Sequence, residues 1–359
     1  MPGRALAAAS VVLLIVGCGG GSSTPGPSPA PSPSAPPPTS REGWTLLAGS
    51  PPAPPNDRHD DIFFLTEALG WLVNIRGDVY RTQDGGVSWS QLARVPPGLR
   101  CVGFASPERG WAGSLNLTNM PEPDLGLFET TDGGVTWANI STRIRGDFVA
   151  GLCGLRVITP TSIYATGRWN GPAVFVRSSD GGRSWSSRDL APQATGLIDL
   201  WFFNEQDGFV VGGQGLGTSE AEQRASRTVI LATADGGASW ETVYLGDTRG
   251  EWAWKIQFVT TAIGFVSMEG PTPAGSVLKT TDGGRSWRRL PVEPAQSFEG
   301  VGFVTPERGW LGSGATLHAT TDGGQSWRRI DFGPRVNRIR ALRSDLAYAA
   351  GDRVYRWAP

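Results

Sequence analysis

Lysine is nearly missing from this chain: Lys255 and Lys279 are its only two, so almost all of the positive charge is arginine. Lys+Arg total 32 against Asp+Glu 33, a balance that excludes the basic field expected of a nucleic-acid or acidic-membrane binder. Histidine is equally scarce, with His59 and His318 alone, which leaves little material for imidazole catalysis or metal ligation. Cysteine occurs three times. A long helical pattern, a nucleophile triad and a phosphate-cradling glycine motif are all lacking. What the chain has is turn-formers, with Gly at 50 and Pro at 28, in 359 residues that can bury one large core or several small ones set in a ring.

The N-terminus reads as an export signal. Arg4 supplies a short positive region, and residues 5–15 form an apolar run too short to span a bilayer. The run ends in Ile15-Val16-Gly17-Cys18, which resembles the lipobox of bacterial lipoproteins. That resemblance implies cleavage before Cys18 and acylation of its thiol and new amino group. The alternative is an ordinary signal peptide with an incidental cysteine. Residues 19–40 favour the lipoprotein, because Gly, Ser and Pro dominate them and almost nothing there could join a core. The expected organisation is a signal at 1–17, a disordered tether at 18–41 and one folded domain at 42–359. The protein is then exported and lipid-anchored to a bacterial membrane, facing periplasm or exterior. Cys101 and Cys153 sit at similar places in successive repeats, where a disulfide and a pair of buried thiols are both open.

Six octapeptides of the form Ser/Thr-x-Asp-Gly-Gly-x-Ser/Thr-Trp dominate the rest, at 82–89, 130–137, 178–185, 233–240, 280–287 and 320–327. Each Gly-Gly pair permits the positive φ angles of a tight hairpin, and each Asp can hold the turn through backbone N–H groups. These aspartates are Asp84, Asp132, Asp180, Asp235, Asp282 and Asp322. The closing Trp89, Trp137, Trp185, Trp240, Trp287 and Trp327 are apolar anchors for packing beside the hairpin.

A second pattern precedes each octapeptide. An aromatic recurs at Trp71, Trp111, Tyr164, Phe209, Phe265, Trp310 and Tyr348, with apolar residues seven and nine positions earlier, as in Phe64 and Ile62. Two apolar residues at a spacing of two make a strand with one packed face. The aromatic marks a second strand, and the residues flanking each octapeptide make a third and a fourth. Four strands in roughly 40–55 residues is the plan of a propeller blade. This pattern counts seven, but the last unit stops before its fourth strand, and Gly43-Trp44 reads like the close of an octapeptide. The expectation is an all-β, seven-bladed propeller of four-stranded antiparallel blades. An N-terminal strand from Trp44 completes the last blade, and the protein is monomeric.

The octapeptides look like the Asp-box, or BNR, repeat of sialidases, sortilin-type receptors and some glucanases. The full unit, Phe followed by Gly-Trp and then Thr-Thr-Asp-Gly-Gly-x-Ser-Trp, is most similar to the photosystem II assembly/stability factor family. That resemblance covers the whole of 42–359. It implies an exported propeller without catalysis or cofactor, which holds a membrane reaction-centre subunit during assembly and uses an arginine-rich surface for its client.

The residues do not favour catalysis. The octapeptide aspartates are committed to turns and spread around the ring, the five tyrosines fall at strand positions, and no metal site is expected. His318 takes a strand position filled by apolar residues in other blades, and His59 reads as a solvated loop. Arg76-Gly77-Asp78 and Arg145-Gly146-Asp147 spell an adhesion tripeptide, cheaply in a chain of this composition. The octapeptides lie on one ring face, so binding is expected on the other, which carries the insertions 114–126, 212–227 and 269–276. A mixed-charge rim of Asp60, Asp61, Arg100, Asp199, Lys255, Glu299, Arg338 and Arg340 is the first candidate surface for a protein client. An arginine stripe of Arg288, Arg289, Arg328 and Arg329 is the second. The alternative is a carbohydrate-binding or glycoside-hydrolase propeller of the sialidase/BNR type, with Trp169, Trp252 and Trp254 as stacking platforms in loops.

Overall fold

The computed structural model describes residues 42–96, 98–115, 126–271, 275–314, 316–332 and 335–359. Cys18 and the expected tether fall outside these residues, as does most of the 114–126 insertion. The described chain forms seven antiparallel sheets in sequence order. Blade 1 consists of His59–Phe64, Gly70–Asn74, Asp78–Thr82 and Ser90–Arg94. The inner strands of blades 2 to 7 are Cys101–Phe104, Gly154–Val157, Gly196–Phe202, Trp252–Phe258, Gly300–Phe303 and Val336–Arg343. Each inner strand contacts the next, and that of blade 7 contacts that of blade 1, so the seven sheets form a ring around a central channel.

Two sheets depart from the simple plan. The fourth strand of blade 7 is Trp44–Leu46, antiparallel to Val354–Trp357, with Trp44 opposite Trp357. Blade 3 gains a fifth, parallel strand, Ile144–Gly146, against Trp185–Asp189. The second adhesion tripeptide therefore belongs to a sheet edge, where Asp147 accepts the Asp189 N–H at 2.8 Å.

The two apolar periodicities meet between blades. Phe104 of blade 2 stacks on Trp71 of blade 1 at 3.6 Å, and Phe303 of blade 6 stacks on Phe265 of blade 5 at 3.5 Å. Phe64 of blade 1 stacks on Tyr348 of blade 7 at 4.0 Å. The inner-strand residue of one blade thus covers the second-strand aromatic of the blade before it. This buries both rings and adds about 0.5–1.5 kcal/mol beyond area burial for each pair. The glycine preceding the aromatic makes room for the ring: a Cβ on Gly309 would stand 2.3 Å from Phe303.

The insertion at 212–227 forms the helix Glu220–Ala225, closed by a reciprocal capping box between Ser219 and Glu222.

Candidate site on the loop face and in the channel

The octapeptides are turns held from within. In the second, the Asp132 carboxylate accepts the Thr136 N–H at 2.9 Å and the hydroxyls of Thr136 and Thr130 at 2.6 and 2.8 Å. These bonds, the Thr136 hydroxyl foremost, pull its carboxyl down to about 2. The same pattern holds Asp84, Asp180, Asp282 and Asp322 near that value. Asp235 is likewise lowered, chiefly by the Ser239 hydroxyl. The tryptophans close the hairpins: Trp89, Trp137 and Trp287 donate their indole N–H to the second glycine carbonyl at 3.0–3.1 Å. A donor from the preceding blade often caps the first glycine, as Tyr348 does for Gly85 at 3.0 Å and Lys279 for Gly323 at 2.7 Å. The carboxylates of these turns are spent on the fold, whereas the indole N–H groups of Trp240 and Trp327 are buried without a partner among the described residues.

The mixed-charge set is not an open rim. Asp60, Asp61, Arg100, Asp199, Lys255 and Arg338 are buried, while Glu299 and Arg340 are half-buried. Most of these groups pair with one another inside the ring. Arg338 bridges Asp61 at 3.0 Å and Asp199 at 3.1 Å, and Arg340 adds a second guanidinium on Asp61 at 2.9 Å. Arg100 bonds Asp60. The carboxylates also staple neighbouring blades: Asp61 accepts the Val102 N–H at 3.2 Å, and Asp199 accepts the Ile256 N–H at 3.3 Å. Burial alone would raise both carboxyls. Arg340 and Arg338 outweigh it to lower Asp61, and Arg338 and Lys255 outweigh it to hold Asp199 at about 2.

Register irregularities place these groups. The inner strands shift between His59 and Asp61, Leu197 and Asp199, Ala253 and Lys255, and Val336 and Arg338. An extra residue at such a bulge lets two successive side chains turn inward. Asp60 and Asp61 are consecutive and both buried for this reason.

At the loop-face mouth of the channel lies a cavity of about 470 Å³, lined among others by Trp169, Trp252, Trp254, Arg58, Arg100 and Glu269. Trp252 and Trp254 belong to the inner strand of blade 5 and are only 5% and 6% exposed, so they are walls rather than the loop platforms expected. Trp169 stacks on Trp252 at 6.4 Å, and the Arg100 guanidinium lies 5.2 Å over Trp254. The indole N–H groups of Trp252 and Trp254 and one Glu269 oxygen have no hydrogen-bond partner. Burial, with the Glu299 charge adding to it, pushes the Glu269 carboxyl up to about 7. A larger cavity of about 550 Å³ on the octapeptide face is walled by turn residues such as Asn204, Asp207 and Asp282. Its walls hold no unpartnered buried polar atom among the described residues.

The arginine stripe divides. Arg288 and Arg328 are exposed on the outer strands of blades 5 and 6, with Arg328 paired to Glu42. Arg329 is also exposed. Arg289 is half-buried and grips the buried Glu251 with two bonds, at 2.8 and 2.9 Å. His59 is fully buried, with Nε2 donating to the Pro51 carbonyl oxygen at 3.1 Å, and is not in a solvated loop. His318 is buried against Phe298, as its strand position suggests. Among the described residues no His, Cys, Asp and Glu group could hold a metal ion. Cys101 and Cys153 are buried free thiols.

No protein-family model matches the chain. A stretch of 126 residues is 30% identical to the photosystem II assembly lipoprotein Ycf48 of Synechococcus sp. (strain CC9902), covering 34% of this chain and 32% of that protein. The solved structure of YCF48 bound to D1 peptide superposes with a TM-score of 0.64 at 19% identity, over 89% of this chain and 98% of that one. Over that 126-residue stretch the chain is similar in sequence to Ycf48, and over most of its length it shares the fold of YCF48. The aligned sequence spans about a third of the Synechococcus Ycf48, whereas the propeller architecture is shared with YCF48 throughout. A xyloglucanase of Paenibacillus sp is 32% identical over 113 residues, covering 30% of this chain and 11% of that enzyme.

Proposed function

We propose that this chain is a non-enzymatic, lipid-tethered envelope propeller that holds a segment of a membrane-protein client at its loop face. The observation that carries this reading is the cavity at the channel mouth. It joins three tryptophans to a raised carboxyl and two arginines, and unpartnered polar groups of Trp252, Trp254 and Glu269 meet there. Tryptophan and arginine are the residues that most often anchor protein interfaces. Similarity to Ycf48 supports an assembly role, and the peptide-bound YCF48 supports a polypeptide client. The lipobox-like Cys18 supplies the anchor, with the protein facing periplasm or exterior.

Site-specific photocrosslinking in the full chain tests the face. A crosslinker at position 169 should yield a discrete membrane-protein adduct in envelopes, and one at position 285 should not. Adducts from 285 alone, or none from 169, reject the reading. Cys18→Ser should move the protein from the membrane to the soluble fraction, and unchanged fractionation rejects the anchor.

One observation favours a carbohydrate-acting alternative: a carboxyl raised to about 7, electrostatically coupled to a second one, in a tryptophan-lined cavity. Glu299, however, is engaged by Arg58 at 3.3 Å and Arg335 at 3.7 Å, which occupies the group that would serve as nucleophile or base. Reducing-sugar release from β-glucans that disappears in Glu269→Gln would establish this alternative over the binding one.

A further inference from the structure

Beneath the ion-pair layer, toward the octapeptide face, the channel holds a second and smaller cavity of about 80 Å³. Arg156 from blade 3, Lys255 from blade 5, and Arg338 and Arg340 from blade 7 line it, with Trp201 from blade 4. Four cations here face two carboxylates, Asp61 and Asp199. Arg338 and Arg340 already occupy both carboxylates. Among the described residues, Arg156 and Lys255 make no carboxylate contact at all. Arg156 instead lies with its guanidinium 3.8 Å over the Trp201 ring, whose own N–H is buried without an acceptor. Asp199 and Asp61 act on both charges at longer range, yet neither cation has an ion-pair partner of its own among the described residues, in a confined space where charge repulsion is screened far less than in water.

We propose that this lower channel binds a small anion, halide- or carboxylate-sized, held between Arg156 and Lys255. The space exceeds the roughly 10–15 Å³ that one water requires, so an ion with first-shell waters fits. It is too small for a folded or extended peptide segment, which separates this site from the client surface above. Forked N–H donors of Arg156 and the point charge of Lys255 are the two kinds of group that bind carboxylates and simple anions. Burial, with repulsion from Arg340 following, lowers Arg156 to about 9, and burial lowers Lys255 to about 8. A bound anion would relieve both.

The test uses the full chain in detergent, with thermal unfolding followed against chloride, bromide and acetate at ionic strength held constant by a bulky sulfonate. The expected result is saturable stabilisation by the small anions, retained in the outer-strand control Arg288→Gln. In Arg156→Gln and Lys255→Met the apparent affinity should fall by at least about tenfold, the loss expected when one charge-assisted hydrogen bond is removed. Equal stabilisation by all anions, or unchanged affinity in both variants, overturns the site. Should the variants fail to fold, bromide-soaked crystals of the unaltered protein decide it. An anomalous peak between Arg156 and Lys255 supports the proposal, and bromide at surface positions only overturns it.

Discussion

Arg338 of blade 7 reaches across the ring to Asp199 of blade 4, with Nη1 donating to Oδ2 at 3.1 Å. These two residues are 139 positions apart in sequence and both are buried. The same guanidinium holds Asp61, so one side chain ties three blades around the channel. Charges that resemble a binding rim in the sequence are here a brace.

Replacing Arg338 with methionine should therefore cost about 3–5 kcal/mol, because it leaves the buried Asp199 without its ion-pair partner and Asp61 with Arg340 alone. Chemical denaturation measures this directly. In a double-mutant cycle with Asp199→Asn the two losses should fall short of additivity by about 0.5–3 kcal/mol. Additive losses would mean that the bridge carries no coupling.

Glu269 makes the stability of the loop face depend on pH. Its carboxyl is raised from 4.5 to about 7, so the folded protein holds a proton that the unfolded chain releases. The associated stability is fully present below about pH 4.5 and is lost as pH rises through about 7, a change on the order of 1–3 kcal/mol. Glu269→Gln should flatten the thermal-midpoint profile across that window, and an unaltered profile would exclude Glu269 as its source.

The octapeptide aspartates act in the opposite sense. Asp132 and Asp180 are lowered from 3.8 to about 2, chiefly by the hydroxyls of Thr136 and Ser184. Their contribution is present above about pH 4 and is lost as pH falls through 2. Asp132→Asn with Asp180→Asn should reduce stability at neutral pH and make the acid transition shallower. Acid unfolding that is superimposable on the unaltered protein would contradict the hydrogen-bond account.

Cys101 and Cys153 should resist alkylation in the native protein, since burial pushes both thiols up and removes them from solvent. Mass spectrometry after iodoacetamide should find both unlabelled until denaturant is added. Rapid native labelling of either would show that the inner strands of blades 2 and 3 open.

Much of this was legible along the chain. The Gly-Gly turns, the tryptophans that close them and the aromatics with their partners seven positions earlier are local signals, repeated often enough to establish blade number and strand order. His318 was placed correctly for the same reason, because its neighbours in the repeat are apolar. His59 was not, since a histidine flanked by Asp60 and Asp61 looks solvated until the strand that buries it is formed.

The sequence by itself determined the ring, its seven blades and the structural duty of the six octapeptide aspartates, because short turns and period-two packing are encoded by residues close together. The tertiary structure alone decided what the charged residues do. Bulges in four inner strands turned Asp60 inward beside Asp61 and made Trp254 a cavity wall, and neither change alters the residue pattern. Whether Arg338 meets a solvent, a client or Asp199 depends on where two strands lie in the closed ring. No local spacing records that distance.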